Sequence, residues 1–238
     1  MAGEVSAIRE ELRAAAEPDR VPDLQRFFRT GPGGYGEGDV FIGVRVPACR
    51  RIARRHRGLP LADCLRLLRS EVHEERLVAL VLLVDRFESG PEHRREVYDA
   101  YLASTSCIDN WDLVDVSCPR IVGAYLLDRQ RDPLYRLAGS GSVWERRIAI
   151  VSTQALIRAG ELDDTFALSE RLLGDSHDLI HKACGWMLRE AGKRDPDRLV
   201  RFVTEHAPAM PRTMLRYAIE RLDLPTRERL MAIPRRRG

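Results

Sequence analysis

The sequence predicts an all-α protein, and three observations lead there. No segment alternates apolar and polar residues as a half-buried strand does, whereas apolar stripes at helical spacing recur from end to end. Proline, glycine and capping residues cut the chain into many short segments of helical length. Trp111, Trp144 and Trp186 recur at separations of 33 and 42 residues, near the roughly 40–47-residue unit of HEAT-type helical repeats. The expected architecture is therefore a right-handed or C-shaped solenoid of HEAT-like antiparallel helix pairs, whose concave side suits a polymer better than a small molecule. A compact bundle, with fewer and longer helices around a closed core, is the alternative.

Taken in order, a helical pattern over 3–16 stops before Pro18, and Pro22 opens a second helix through Phe27 and Phe28. Residues 31–43 begin with too much glycine for a helix and are read as a shaped surface loop. Pro47 starts a basic helix over 47–57, and Leu61, Cys64, Leu65 and Leu68 stripe the next. Leu77, Leu80, Val81 and Val84 mark one apolar face; after the Gly90-Pro91 stop, Val97, Tyr98, Tyr101 and Leu102 mark its neighbour. Further helices are expected at 110–127, 132–138, 142–159, 161–173, 177–192, 195–205, 209–222 and 225–232. Ser142, Asp163 and Asp195 stand where N-caps belong, and Gly160, Gly174 and Gly192 where helices should end. The whole of 1–238 is expected to form one repeat domain.

Composition narrows the function classes. With 44% hydrophobic and 32% charged residues the chain is globular. No apolar run approaches the roughly 18 residues of a membrane span, and the N-terminus lacks a signal-like apolar core, so a cytoplasmic protein is expected. Five widely spaced cysteines without Cys-x-x-Cys read as reduced, packed thiols. The net charge of +3 conceals two basic segments: residues 45–69 hold eight arginines against Asp63 alone, and 201–238 hold nine against four acids. Either these face a polyanion or they are Arg-rich solvated faces.

Four stretches carry candidate chemistry. In Asn110-Trp111-Asp112-Leu113-Val114-Asp115, Trp111 and Asp115 are four apart, so an indole and a carboxylate share one helix face. A surface acid beside a half-buried Trp is the bland reading of that pair. Trp144 and Arg147 repeat the logic with a cation, which either grips a phosphate or pairs with a neighbour such as Glu145. Lys182 and Arg189 flank Trp186 at helical spacing, and Gly185 permits close approach of another helix or a ligand. His177 and His181 have the i, i+4 spacing of zinc proteases, but Asp178 stands where those carry a Glu and no third ligand is evident, so no metal is expected.

The run Tyr35 to Pro47, the Asn110–Asp115 stretch, Trp144-Glu145-Arg146-Arg147 and Lys182 to Glu190 together, in this order, resemble the AlkD family of alkylpurine DNA glycosylases. The resemblance spans roughly residues 20–220. It implies HEAT-like repeats wrapped around duplex DNA and excision of N3- and N7-alkylated purines without metal or other cofactor. On that resemblance Asp115 is the catalytic carboxylate, Trp111 and Trp186 flank the lesion nucleotide, and Arg147 contacts backbone phosphate. The expected DNA-binding set is Arg147, Arg189, Lys182, Arg45, Trp144 and Asp112. Family members often carry a second aromatic just before the Trp matched by Trp111; here that position is Asn110. The expected partner is double-stranded DNA containing alkylated purines, met by a monomer away from any membrane. Non-catalytic alternatives are a helical-repeat scaffold for proteins, or a repeat protein that binds nucleic acid without cleaving it.

Overall fold

The computed structural model describes residues 2–234. Among them every regular element is helical, and the one β-like pairing is an isolated parallel bridge between Val40 and Val72. The chain divides into two compact units, Met1–Ser117 and Cys118–Gly238.

The first unit contains α1 (Ala2–Ala14), α2 (Val21–Phe28), α3 (Val46–Arg55), α4 (Leu61–Leu68), α5 (His73–Ser89), α6 (Pro91–Leu102) and all but the last residue of α7 (Trp111–Cys118). Its centre is α5. From Leu77 to Val84 every residue of that helix except Val81 is buried, and α1, α3, α4 and α6 all pack against it. The sequence suggested one apolar face; eight consecutive apolar residues instead bury this helix nearly all round. α1 contributes Val5, Ile8 and Leu12 to the same core, at the spacing that puts them on one face.

The second unit contains α8 (Ala124–Leu126), α9 (Asp132–Ala138), α10 (Val143–Ala159), α11 (Asp163–Arg171), α12 (Asp178–Gly192), α13 (Pro196–His206), α14 (Arg212–Ala218) and α15 (Leu224–Met231). α10 packs on α9, α11 and α12, and α12 on α13 and α14. The freedom expected of Gly185 is used here. A Cβ at that position would lie 2.5 Å from Tyr217 Cβ and 2.6 Å from the Met214 carbonyl oxygen, so only glycine lets α14 come this close.

Three local expectations are corrected. The helix expected over 110–127 forms without a break from Trp111 to Leu126 but is not uniformly α: α7 ends at Cys118 and Pro119–Gly123 make a π-helical turn before α8. Pro119 has no N–H to donate and its ring crowds the carbonyl four residues back, so the chain widens there. Ser142 and Asp195 do cap α10 and α13, accepting from the amides of Glu145 and Arg198, but Asp163 is the first helical residue of α11, preceded by Leu162. Gly160 ends α10 in the left-handed region at φ 89°, whereas α11 stops at Arg171, before Gly174. Gly192 is the last residue inside α12, where a Cβ would strike Leu199 Cδ2 at 2.3 Å. The five cysteines are free thiols, and all but Cys107 are buried. Burial pushes Cys49 and Cys64 up to about 12, so they are inert packing groups.

Candidate functional site

α7 begins at Trp111, so Trp111 and Asp115 lie one turn apart on the same helix. Both are half-buried. The indole is held by two aromatics that end α2: Phe28 stacks on it with ring centres 5.5 Å apart, and Phe27 meets it edge-on at 5.8 Å. Beyond Phe28 the stack continues through Phe41 at 4.9 Å to the imidazole of His73, 4.4 Å from Phe41. Four rings in series thus connect the exposed edge of the unit to its interior, each pair within the range in which aromatic contacts add to burial.

Asn110, fully buried, organises the start of α7. Its Oδ1 accepts from the Trp111 amide at 2.9 Å, its carbonyl accepts from Val114 N, and its Nδ2 donates to Asp39 Oδ2 at 3.1 Å. Asp112 accepts from its neighbour Leu113 N with one oxygen and faces His73 Nε2 at 2.8 Å with the other. His73 Nδ1 faces Asp39 Oδ2 at 2.7 Å. Asp39 Oδ1 in turn receives Arg76 Nη2 at 2.7 Å, and Arg76 also pairs with Asp109 at 3.2 Å. The two buried cations, His73 and Arg76, thus meet three carboxylates, of which Asp39 is buried, Asp112 half-buried and Asp109 the most exposed, so neither cation is kept out of water without a partner.

The electrostatics follow from that arrangement. Burial opposes a charged His73, which is 2% exposed, but hydrogen bonds and charge from Asp112 and Asp39 override it and raise the imidazole to about 9. Burial likewise opposes ionisation of Asp39, yet the hydrogen bond and charge of His73, with Arg76 and Asn110, hold it below the usual carboxylate range. His73 is an imidazolium at neutral pH.

The same helix start pins the glycine-rich loop. The Glu74 carboxylate accepts from the amides of Ile42, Gly43 and Val44 at 3.2, 2.8 and 3.1 Å, and the Val40 carbonyl accepts from His73 N at 2.8 Å. Gly43 sits at φ 89° with a would-be Cβ 2.1 Å from the Glu17 carbonyl oxygen, so glycine is required there. Tyr35 donates its hydroxyl to the Phe27 carbonyl and Glu37 accepts from Gly33 N, so the loop is ordered by its own residues as well.

The basic helix α3 presents exposed arginines. Arg45, just before it, is held by both oxygens of Glu17 at 2.8 and 2.9 Å. Among the described residues Arg55 pairs with Glu11, Arg57 with Asp85 and Arg66 with Asp63, while Arg50, Arg51, Arg54 and Arg69 make no ion pair. Residues 235–238, the end of the second basic segment, lie outside the described residues.

In the second unit Trp144 is buried at 9% exposure and packs inside the unit. Arg147 is also buried, with Nη1 donating to the Leu179 carbonyl at 2.8 Å. Trp186 is half-buried on α12. Lys182 pairs with Asp178 at 2.7 Å, and Arg189 with Glu220 and Glu190. His177 caps α12, its Nδ1 accepting from Leu179 N at 3.2 Å, and His181 Nε2 donates to the Asp175 carbonyl at 2.5 Å. Each of the two histidines therefore has a structural task.

Sequence reasoning missed His73, Asp39, Arg76, Glu74 and the Phe27–Phe28 brace. A signal existed: His73-Glu74-Glu75-Arg76 directly precede the apolar run 77–84, so the first turn of a helix buried all round was bound to need partners for its charges.

The family model for DNA alkylation repair enzymes matches residues 8–222. Among solved structures, a predicted DNA alkylation repair enzyme from Enterococcus faecalis is similar over 88% of this chain and 97% of that chain, with a TM-score of 0.67 at 16% identity, a likeness of fold. No curated protein matches.

Proposed function

The chain belongs to the family of DNA alkylation repair enzymes, and from that premise we propose that it is a HEAT-like-repeat DNA glycosylase, hydrolysing the N-glycosidic bond of cationic N3- and N7-alkylated purines in duplex DNA. The observation that carries the reading is the pairing of Trp111 and Asp115 one turn apart on α7, with the indole braced by Phe28 and Phe27. A scaffold protein has no use for a carboxylate beside an indole so firmly held.

Alkylation at N3 or N7 makes the purine cationic, so the base leaves without being protonated. The deoxyribose then gains oxocarbenium character, which a fixed carboxylate stabilises as in glycosidases. Asp115 takes that role and orients the attacking water. Trp111 adds attraction of its ring face for the developing positive charge and excludes bulk water; by the resemblance, Trp186 supplies a second indole. The arginines of α3, with Arg45, Lys182 and Arg189, are the groups assigned to the DNA backbone; Arg147, buried and donating to the Leu179 carbonyl, fits a supporting task better. The burial of Trp144 and the Asp112–His73 contact fit supporting tasks better than direct DNA contact for those two residues.

The test is single-turnover release of 7-methylguanine and N3-methyladenine from methylated duplex DNA. Asp115→Asn should slow it by about 10²–10³-fold, the scale of one lost electrostatic stabiliser, with DNA affinity unchanged or improved. Neutral lesions such as hypoxanthine and uracil should not be released, since no group in these motifs is placed to give a proton to a poor leaving group. Near wild-type rates in Asp115→Asn would remove the catalytic assignment.

A further inference from the structure

His73 stands where the glycine-rich loop, α5 and α7 meet, and its two ring nitrogens point to different elements. Nδ1 is 2.7 Å from Asp39 Oδ2, at the end of the glycine-rich segment, and Nε2 is 2.8 Å from Asp112 Oδ2, in the first turn of α7. Carboxylate oxygens only accept, so both contacts are hydrogen bonds only when both nitrogens carry a proton. The ring is clasped face-on by Phe41 and leans on Phe28, which itself stacks on Trp111. Asp112 is the residue after Trp111 and lies three before Asp115.

We propose that His73 is a positioning residue for the reaction at Asp115: as an imidazolium strut it ties the glycine-rich loop to the first turn of α7 and so fixes the orientation of Trp111 and Asp115. The proposal rests on the role given to Asp115 above. It adds a requirement that the Asp115 chemistry alone does not impose, namely a proton on a side chain that never touches DNA.

The charged surroundings leave that proton a clear task. On α5 itself, Glu74 is turned to the amides of residues 42–44, Glu75 to Arg9 of α1 at 2.9 Å, and Arg76 to Asp39 and Asp109. From α3 the nearby group is the buried Cys49 thiol, whose ionisation burial, then Glu74 and Asp112, push up to about 12. Among the described residues only Asp39 and Asp112 contact the ring nitrogens. Loss of one proton sets a nitrogen lone pair against a carboxylate oxygen, and either the loop or α7 is then repelled where it was held.

The experiment pairs a direct titration with a rate. Nitrogen-detected NMR of the full chain follows protonation of both His73 nitrogens and, in the same samples, the indole N–H resonance of Trp111 between pH 6.5 and 10. Single-turnover release of 7-methylguanine, corrected for spontaneous depurination, is measured over the same range. Expected are both nitrogens protonated at pH 7, a Trp111 shift that follows their deprotonation, and a fall in rate of about 10²-fold along the same curve, the scale on which a misplaced reacting group loses rate. Asp39→Asn supplies the second arm. The amide oxygen still accepts from Asn110 Nδ2 and His73 Nδ1 but carries no charge, so the imidazolium is held less tightly and the alkaline fall should move to lower pH, which a purely structural role for Asp39 would not produce.

A rate that stays flat while His73 loses its proton overturns the proposal and leaves Asp115 standing. So does a His73 found singly protonated at pH 7, or an Asp39→Asn profile superimposable on wild type. Should the wild-type protein release no base at any pH, the reading of Asp115 fails; the strut is then decided by the Trp111 resonance, and a resonance indifferent to the His73 titration overturns it as well.

Discussion

Stability should fall as pH rises from 7 to 8.5, and the fall should belong to His73. Its folded value of about 9 lies above the ordinary 6.5, so the fold binds this proton more tightly than the unfolded chain. The resulting stabilisation is fully present below 6.5 and is lost as pH climbs through 9. The gap between 9 and 6.5 corresponds to about 3 kcal/mol in full, of which about 2 kcal/mol disappears between pH 7 and 8.5. Against the 5–15 kcal/mol typical of a folded domain this is a large change. Other groups act outside the window. Asp39, with its value held down, stabilises above the carboxylate range and loses that only in acid. His177, pushed down by burial, costs stability only as pH falls below its ordinary value. The buried thiols Cys49, Cys64 and Cys184 are raised by burial from 9.0 and act mainly from about 9 upward. Urea unfolding followed by circular dichroism at constant ionic strength, at half-unit steps from pH 6.5 to 8.5, measures the slope. His73→Gln should be less stable at pH 7 and should lack the slope. A wild-type stability flat over this range, or a His73→Gln variant that keeps the wild-type slope, refutes the reasoning.

Glu74→Ala should cost about 3 kcal/mol or more, because three amides of the loop lose a charged acceptor in a buried place; the urea midpoint and hydrogen exchange at residues 42–44 report it together. Gly185→Ala should cost about 1–3 kcal/mol by forcing α12 and α14 apart, visible as a lowered Tm. Affinity for duplex DNA should fall steeply with salt, and replacing Arg50 and Arg54 by alanine should flatten the log–log slope by roughly one per arginine; a slope unchanged by both substitutions would take α3 out of the interface.

Much of the fold was legible because helices announce their own ends. Leu61–Leu68 and Asp132–Ala138 form over the residues their stripes and prolines mark, and Ser142 and Asp195 cap as their chemistry dictates. The pairing of Trp111 with Asp115 was legible for the same reason, being a matter of spacing within one helix. What held them was not. The His73 contacts join positions 34 and 39 residues apart in sequence, and no periodicity encodes such a meeting. Pro119 was visible, but whether a proline kinks, ends or merely widens a helix depends on the neighbours that re-satisfy the freed carbonyl.

The substitution at position 110 shows how the two levels interact. The resemblance implies an aromatic neighbour for Trp111 at this position, where this chain has Asn110. The structure supplies that neighbour from α2, whose Phe28 stacks on the indole while Phe27 covers its edge. Asn110 is then free for a task no aromatic performs: it links the Trp111 amide to Asp39 and so joins the start of α7 to the same carboxylate that His73 holds. The space agrees, since a Cβ on Gly36 would already stand 3.3 Å from Asn110 Nδ2 and 2.5 Å from the Phe28 carbonyl oxygen. A ring at position 110 would meet that backbone at once. Indole support and polar anchoring, which one aromatic residue cannot both provide, are thus divided here between α2 and Asn110, and both converge on the turn that carries Asp115.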